Sequence, residues 1–165
     1  MALPQRRVTV NGSVIMFNSL AILGILATDG RASYQAIADQ VGLSRPAVME
    51  RVKRLEEQGV ITGYAAVIDR ARIGRPITAF INVRYPSSTH VGTEPWIAEL
   101  VHHPDVLECH HVAGDDCFIL KVAVSAVERL QDVLRALRPH GEPANTRTTI
   151  VLSTNFEKSG LAPEV

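Results

Sequence analysis

The stretch that decides the fold of the N-terminal half, residues 33–59, reads SYQAIADQVGLSRPAVMERVKRLEEQG. A serine opens each of its two segments, 33–41 and 44–58, where a side-chain oxygen can cap a helix. Gly42 lies between them and supplies the permissive backbone that a sharp turn needs. The pattern predicts two helices joined by a tight turn, which is the arrangement of a helix-turn-helix.

The second of these helices is predicted to have one apolar face and one polar face. Val48, Val52 and Leu55 form an inward stripe, which leaves the opposite side free to enter the major groove of DNA. There arginine can bind guanine, glutamate can accept from cytosine, and an apolar side chain can contact a thymine methyl group. The residues expected to contact bases or phosphates are Ser33, Tyr34, Ser44, Arg45, Pro46, Met49, Glu50, Lys53 and Arg54. The same pattern also fits an ordinary solvated helix face.

The charge distribution favours the DNA-binding interpretation. The chain has no formal net charge, but residues 1–75 carry ten basic and six acidic side chains, a balance of +4. Residues 76–165 carry seven basic and eleven acidic side chains, a balance of −4. This asymmetry predicts two modules with different partners, only the first of which attracts a polyanion.

The segments around the helix-turn-helix are predicted to be an arm, a helix and a wing. Residues 1–14 show no sustained periodicity and are interpreted as a loose arm. A helix is expected from Ser19, its N-cap, to Thr28; because it is apolar all round, we expect part of it to lie in a subunit interface. The pattern around Thr62-Gly63 predicts a small β-hairpin or wing within residues 60–68.

The back half alternates between strand and helix patterns. Strands are predicted at 77–85, 106–112, 117–124 and 146–153, and helices at 93–102 and 125–138. Thr93 can cap the first helix, and Ser125 to Glu128 forms a capping box for the second, with Val127 among its inward residues. The order β-α-β-β-α-β is that of a ferredoxin-like fold. The sheet face away from the helices, whether it holds Thr78 and Phe80 or the alternate set, is expected to be covered by dimerisation.

Several motifs resemble those of the Lrp/AsnC, or feast/famine, family of transcription regulators. They are Asp29-Gly30-Arg31, Val41 to Ser44, Arg51 to Glu56, Gly59 to Tyr64, Glu108 to Asp115 and Asn145 to Thr148. The resemblance covers about residues 15–155. It implies a regulator of genes related to amino acids, built from homodimers that assemble into tetramers or octamers. One departure is Ile15 to Ser19, which stands where the family usually has a Leu-Asp-x-x-Asp pattern.

A glycine turn in the back half is the candidate effector site. Gly114, Asp115 and Asp116, with Thr148 and Thr149 on the neighbouring fourth strand, can supply donors and acceptors to a zwitterionic amino acid. The resemblance implies that the effector-responsive positions are His111, Asp115, Cys117, Thr149, Ile150 and Val151. Cys117 stands where family members often carry aspartate, and a thiol cannot hold an ammonium group as a carboxylate does. A plain β-turn with solvated carboxylates is the alternative.

Metal binding and catalysis are weaker interpretations. The clustered histidines and cysteines, including Cys109, His111 and Cys117, match no standard structural zinc spacing, so no metal or cofactor is expected. An enzyme on the same scaffold, such as a haem-precursor decarboxylase, is the alternative function, but no acid-base pair supports it. Two cysteines and no signal pattern indicate a reducing cytoplasm, and no apolar run is long enough for a membrane span.

Together these features predict an α+β protein with an N-terminal winged helix-turn-helix domain and a C-terminal ferredoxin-like domain. Its partners are expected to be double-stranded DNA and a small effector. The expected layout is an arm (1–14), a DNA-binding domain (15–68), a linker (69–76), an effector and oligomerisation domain (77–155) and a tail (156–165).

Overall fold

The computed structural model describes residues 7–10, 13–84, 95–137, 145–158 and 160. The chain divides into two compact units. The first unit ends at Val67 and also takes in the chain from Phe156 onward, and the second unit is Ile68–Asn155. The residues expected to form a linker therefore group with the second unit. Within the described ranges, no helix has both the length and the apolar content needed to cross a lipid bilayer.

The first unit is built around three helices. Its elements are β1 (Arg7–Val10), β2 (Ser13–Met16), α1 (Phe17–Thr28), α2 (Tyr34–Val41) and α3 (Arg45–Glu57). The predicted caps are confirmed, since Ser33 Oγ accepts from the Ala36 N–H at 3.1 Å and Ser44 Oγ from the Ala47 N–H at 3.4 Å. Gly42 takes φ 66°, the left-handed conformation that ends α2 and starts the turn.

Two predictions near the N-terminus are wrong. The expected loose arm contains an antiparallel pair, β1 with β2, in which Arg7 is opposite Met16. The sequence itself carries a signal for this pair, because Asn11-Gly12 between two short apolar-containing segments is typical of a hairpin. Ser19 is not the cap of α1, since the helix starts two residues earlier and Ser19 is buried inside it.

The predicted wing hairpin is also corrected. Residues 60–68 form no paired strand, although all of them are described. Two strands this short lack the packed face that a stable ladder needs, and Val67 is 81% exposed. Tyr64 instead fixes the segment to α3 through a hydrogen bond to Glu56.

The second unit has the predicted ferredoxin-like topology. Its elements are β3 (Ile77–Arg84), α4 (Pro95–Leu100), β4 (Val106–His111), β5 (Phe118–Val124), α5 (Arg129–Ala136) and β6 (Asn145–Ile150). All neighbouring strands are antiparallel, in the order β4-β5-β3-β6. One sheet face packs with α5 around a core that includes Ile81, Phe118, Leu120 and Val133.

The predicted capping box before α5 does not form. The helix starts at Arg129 and its N-cap, Glu128, makes no side-chain cap hydrogen bond. The preceding turn closes through i to i−3 bonds instead, such as that from the Arg129 N–H to the Ala126 carbonyl. Val127, expected inside, is consequently 51% exposed.

The remaining differences concern element ends. Helix α4 stops at Leu100, short of His102, and β6 stops at Ile150, short of Ser153. The Val151 N–H still donates to the Thr78 carbonyl at 2.9 Å and so continues the ladder by one bond. The predicted end of the first strand at Tyr85, the predicted cap Thr93 and the predicted helix end at Arg138 lie outside the described residues.

A buried ion cluster joins distant parts of the second unit. Asp105 has a side chain only 5% exposed and accepts from Arg75 and, at 3.1 Å, from Arg129. Arg75 Nη1 also donates to the Pro104 carbonyl at 2.6 Å. The carboxylate therefore holds together the segment before β3, the start of β4 and the start of α5.

Candidate nucleic-acid interface and effector turn

Helix α3 has the two faces that the sequence predicts. Val48 and Val52 are fully buried, and both belong to the core of the first unit. On the other side, every predicted contact residue of the helix is exposed: Arg45, Pro46, Met49, Glu50, Lys53 and Arg54. The fold therefore leaves this face open to a partner.

Charged side chains on the outward face are paired along the helix. Arg54 forms an ion pair with Glu50, and Lys53 Nζ lies 3.6 Å from Glu57 Oε1. Such exposed pairs contribute about 0.3–0.5 kcal/mol, so DNA phosphates and bases can compete for them at small cost. The guanidinium of Arg45 makes no ion pair or hydrogen bond with any described residue, which leaves its donors available.

An open groove lies beside the start of α3, and it adds residues that sequence reasoning missed. Its volume is about 500 Å³. It is lined by Leu26, Gly30, Arg31, Ala32, Ser33, Tyr34, Gln35, Arg45 and Tyr64. Arg31 and Tyr64 were not among the predicted contacts, because only the turn between α1 and α2 and the segment after α3 bring them to this surface.

Tyr64 links the segment after α3 to the helix itself. Its hydroxyl donates to Glu56 Oε1 at 2.9 Å. Burial, followed by this hydrogen bond and by the charge of Glu56, raises the pKa of Tyr64 from 10.0 to about 12. A phenolate at this position would lose its donor hydrogen and would face a carboxylate.

The raised pKa predicts how Tyr64 contributes to stability. A group whose pKa is higher in the folded state stabilises it below the unfolded pKa, so this contribution is present up to about pH 10 and is lost towards pH 12. Tyr64→Phe should lower the free energy of unfolding near pH 7 by about 0.5–1.5 kcal/mol, the usual range for one hydrogen bond. In alkaline absorbance titration it should remove a phenol that ionises at about pH 12. Tyr34→Phe is the control, and a Tyr64 phenol that titrates at 10 would contradict the assignment.

The turn that is the candidate effector site connects β4 to β5 and is held at both of its ends. The Val112 N–H donates to the Cys117 carbonyl at 3.0 Å, and the Cys117 N–H donates to the Val83 carbonyl at 2.8 Å. Gly114 has φ 137°, a conformation that favours glycine, and Asp115 beside it is exposed. Cys117 is half-buried, and it packs against the core of the second unit.

Asp116 is the side chain of the turn that contacts other strands. Its Oδ2 accepts from Asn82 Nδ2 at 2.6 Å and from Arg147 Nη2 at 3.0 Å. Asn82 lies on β3 and Arg147 on β6, where they are opposite each other. Sequence reasoning missed both residues, because they are more than 30 positions away from Asp116.

The predicted effector residues on β6 lie on different faces of the sheet. Strand β6 borders β3 rather than either strand of the hairpin, so the expectation that the fourth strand is next to the hairpin is corrected, although Arg147 of β6 still contacts Asp116 of the turn. Thr148 is opposite Ile81 on the core-facing side, and Thr149 is opposite Phe80 on the other face. Ile150 follows with the core-facing set, and Val151 lies just beyond the strand.

The histidines and cysteines lie in separate small contacts. The rings of His111 and Phe118 have centroids 5.1 Å apart, and His110 Nε2 lies 3.1 Å from Glu108 Oε2. The His110 contact lowers the pKa of Glu108, and burial raises the pKa of the Cys109 thiol. Among the residues that the structure describes, no three His, Cys, Asp or Glu side chains come together in a way that could hold a metal ion.

Comparison with known proteins decides the family. Residues 78–161 match the family model described as the Lrp/AsnC ligand binding domain, and residues 18–62 match the model for winged helix-turn-helix DNA-binding. The chain belongs to the Lrp/AsnC family. This agrees with the resemblance found in the sequence motifs, and it makes the chain a DNA-binding transcriptional regulator of the α+β, two-domain type.

Individual Lrp/AsnC relatives support the same conclusion. The HTH-type transcriptional regulator LrpA of Mycobacterium tuberculosis is 37% identical over 79% of this chain and 85% of its own length. The uncharacterised HTH-type transcriptional regulator YezC of Bacillus subtilis is 37% identical over 82% of this chain and 92% of its own length. The crystal structure of the M. tuberculosis leucine response regulatory protein (LrpA) has a TM-score of 0.78 at 31% identity, covering 90% of this chain and all of that one. Relatives named as regulators give no support to the decarboxylase alternative.

Proposed function

We propose that the outward face of α3 binds in the major groove of DNA and determines which sequence this regulator recognises. The observation that carries the proposal is the contrast between fully buried Val48 and Val52 and the exposed residues behind them. Arg45 and Glu50, in the N-terminal half of the helix, are assigned to base edges. Met49, 51% exposed, and Pro46 are assigned to thymine methyl groups.

The groove beside α3 is assigned to the DNA backbone. Arg31 on its wall adds a positive charge near Ser33 and Tyr34, which the sequence already suggested as phosphate contacts. Ser44, Lys53 and Arg54 complete the set of residues that position the helix without reading sequence. Such contacts release counterions, so the affinity should fall steeply as salt increases.

We propose that the chain assembles into homodimers, which would present two such helices to DNA. A symmetric dimer places its two helices in half-sites about 34–36 Å apart, which requires a pseudo-palindromic operator. The sheet face that carries Phe80, 39% exposed, is the proposed interface, since it offers apolar surface away from the core. Tetramers or octamers would form from such dimers.

The second unit is proposed to bind an amino acid. A related structure, the feast or famine regulatory protein of M. tuberculosis complexed with L-methionine, is 33% identical with a TM-score of 0.76 and covers 87% of this chain and 97% of that one. We assign the effector to the turn between Gly114 and Cys117, with His111 and β6 residues close by. Its binding would change either assembly or DNA affinity, which requires different affinities for two states.

The direct test of DNA binding is an electrophoretic mobility shift with DNA from upstream of the gene that encodes this chain. We expect a specific shift at low salt. The logarithm of the affinity should fall linearly with the logarithm of the salt concentration, with a slope of roughly −0.9 for each phosphate contacted. Unrelated DNA of the same length is the control. Binding that is equal on both DNAs, or absent at low salt, would contradict sequence-specific recognition.

A further inference from the structure

The chain after β6 passes out of the second unit and into the first. From Phe156 onward it groups with the three helices of the DNA-binding unit. Its described residues, 151–158 and 160, form no helix or strand. Its large apolar side chains do not attach it to that unit, since Leu152 is 99% exposed and Phe156 is 80% exposed. The attachment therefore comes from other residues of the segment.

Gly160 makes a close contact with the end of α1. A Cβ atom built on Gly160 would lie 3.3 Å from the carbonyl oxygen of Ala27, 3.4 Å from its Cβ and 3.5 Å from its Cα. Because the nearest of these atoms belongs to the helix backbone, it cannot turn aside as the end of a long side chain can. A Cβ on Gly24, three residues earlier in the same helix, would meet nothing within 4 Å. The segment is therefore seated on the last turn of α1, and a side chain at position 160 would push it away.

The last turn of α1 leads directly into the turn that carries Arg31. The Asp29 N–H donates to the Ile25 carbonyl at 2.8 Å, and Asp29 Oδ1 accepts from the Arg31 N–H at 2.9 Å. The Asp29 carbonyl accepts from the Ala32 N–H at 3.1 Å. Leu26, in the same turn of the helix, lines the groove beside α3 together with Arg31. The position of Arg31 consequently depends on whether the end of α1 stays helical.

The end of α1 needs support from outside the helix. Helix ends open more readily than helix interiors, because their last carbonyl groups have no partner within the helix. A basic side chain in the last turn would stabilise those carbonyl groups by its charge, but α1 has none there. Backbone packed against Ala27 supplies a support of another kind, because it opposes the opening of this turn.

We propose that the segment around Gly160 positions Arg31 for DNA binding by holding the last turn of α1 in place. This inference rests on the proposed contact between the groove beside α3 and the DNA backbone. Gly160 is a positioning residue, since it acts on DNA through Arg31. The segment that follows the sheet of the second unit thus serves the DNA-binding unit.

The test compares variants of the segment in hydrogen exchange and in DNA binding. Gly160→Val places a branched side chain against Ala27, and a chain that ends at Asn155 removes the contact altogether. Ser153→Val is the matched control, because it adds the same side chain at an exposed position of the same segment. Arg31→Gln, alone and combined with Gly160→Val, completes the set. Affinity is measured by quantitative mobility shift on specific DNA.

The exchange and the affinity should change together. In peptides covering residues 25–32, amide hydrogens of Gly160→Val and of the shortened chain should exchange about tenfold faster than those of Ser153→Val, because the last turn of α1 opens more often. Peptides from α3 should exchange as in the unchanged chain. Gly160→Val should weaken binding to specific DNA by up to about tenfold, the effect of losing one charged hydrogen bond. Added to Arg31→Gln, it should cause almost no further loss, since both changes remove the same contact.

The outcomes that overturn the inference are distinguishable. If the unchanged chain binds its specific DNA and Gly160→Val matches Ser153→Val in exchange or in affinity, the inference fails while the proposed function stands. If the losses from Gly160→Val and Arg31→Gln simply add, the segment does not act through Arg31, and the inference fails in the same way. If the unchanged chain binds no DNA specifically, the proposed function fails and this inference fails with it.

Discussion

Replacing Arg45 with alanine is expected to weaken specific DNA binding by about 1–3 kcal/mol for each half-site, the range for a bidentate contact with guanine. The guanidinium is exposed near the start of α3 and has no partner among the described residues, so the change removes the proposed DNA contact without breaking a contact with a described residue. Binding to unrelated DNA should fall much less. Quantitative mobility shifts on specific and unrelated DNA measure both effects.

Neighbouring residues on α3 should respond differently to substitution. Glu50→Gln should change which base is preferred at one operator position, while the stability of the fold changes little because the pair with Arg54 is exposed. Arg54→Ala should weaken binding to all DNA sequences alike. It should also make the dependence of log affinity on log salt less steep, by the amount expected for about one phosphate contact. Arg135→Ala, an exposed arginine of the second unit, is the control. Uniform weakening by Arg45→Ala across all DNA sequences would assign that residue to phosphate instead.

Removing both arginines from Asp105 is expected to destabilise the second unit by about 3–5 kcal/mol, because a buried carboxylate is left without a partner. The side chain of Asp105 is only 5% exposed, and its two partners are Arg75 and Arg129. Arg75→Ala alone should destabilise the second unit by less, since Arg129 still pairs with Asp105. The two-unit chain need not unfold in one step, so hydrogen exchange in peptides from β5 is the appropriate measurement.

The control for this prediction is Arg135→Ala. It breaks an exposed pair with Asp132, whose nitrogen and oxygen are 2.9 Å apart, and should change stability by less than about 1 kcal/mol. If the β5 amides of the double variant were as well protected from exchange as those of Arg135→Ala, the cluster around Asp105 would not stabilise the second unit.

The parts of the fold that sequence predicted well depend on local chemistry. The serine caps, the glycine turn and the valine stripe of α3 are each determined within a few residues, and all are present. The alternation of strand and helix patterns in the C-terminal half likewise predicted the order of the ferredoxin-like elements. The start of α5 was missed because the Ser125 pattern competes with i to i−3 turns that close over the same residues.

The contacts that sequence could not predict join residues far apart in the chain. Asp105 meets Arg75 across 30 positions, and Asp116 meets Arg147 across 31. Only strand order brings such side chains together, and no local pattern encodes which of several arginines approaches a given carboxylate. The glycine and aspartates of the candidate effector turn were recognisable in the sequence, but the contacts of Asp116 depend on β3 and β6.

The most direct test of the central claim, that the outward face of α3 reads the major groove, is methylation interference on the operator. Methylation of guanine N7 blocks the major-groove edge that an arginine binds. We expect methylation of one or more guanines in each half-site to prevent binding of the unchanged chain, and to have no such effect on the residual binding of Arg45→Ala. Interference confined to the minor groove would contradict the claim, whereas an identical pattern for both proteins would remove only Arg45 from the major-groove contacts.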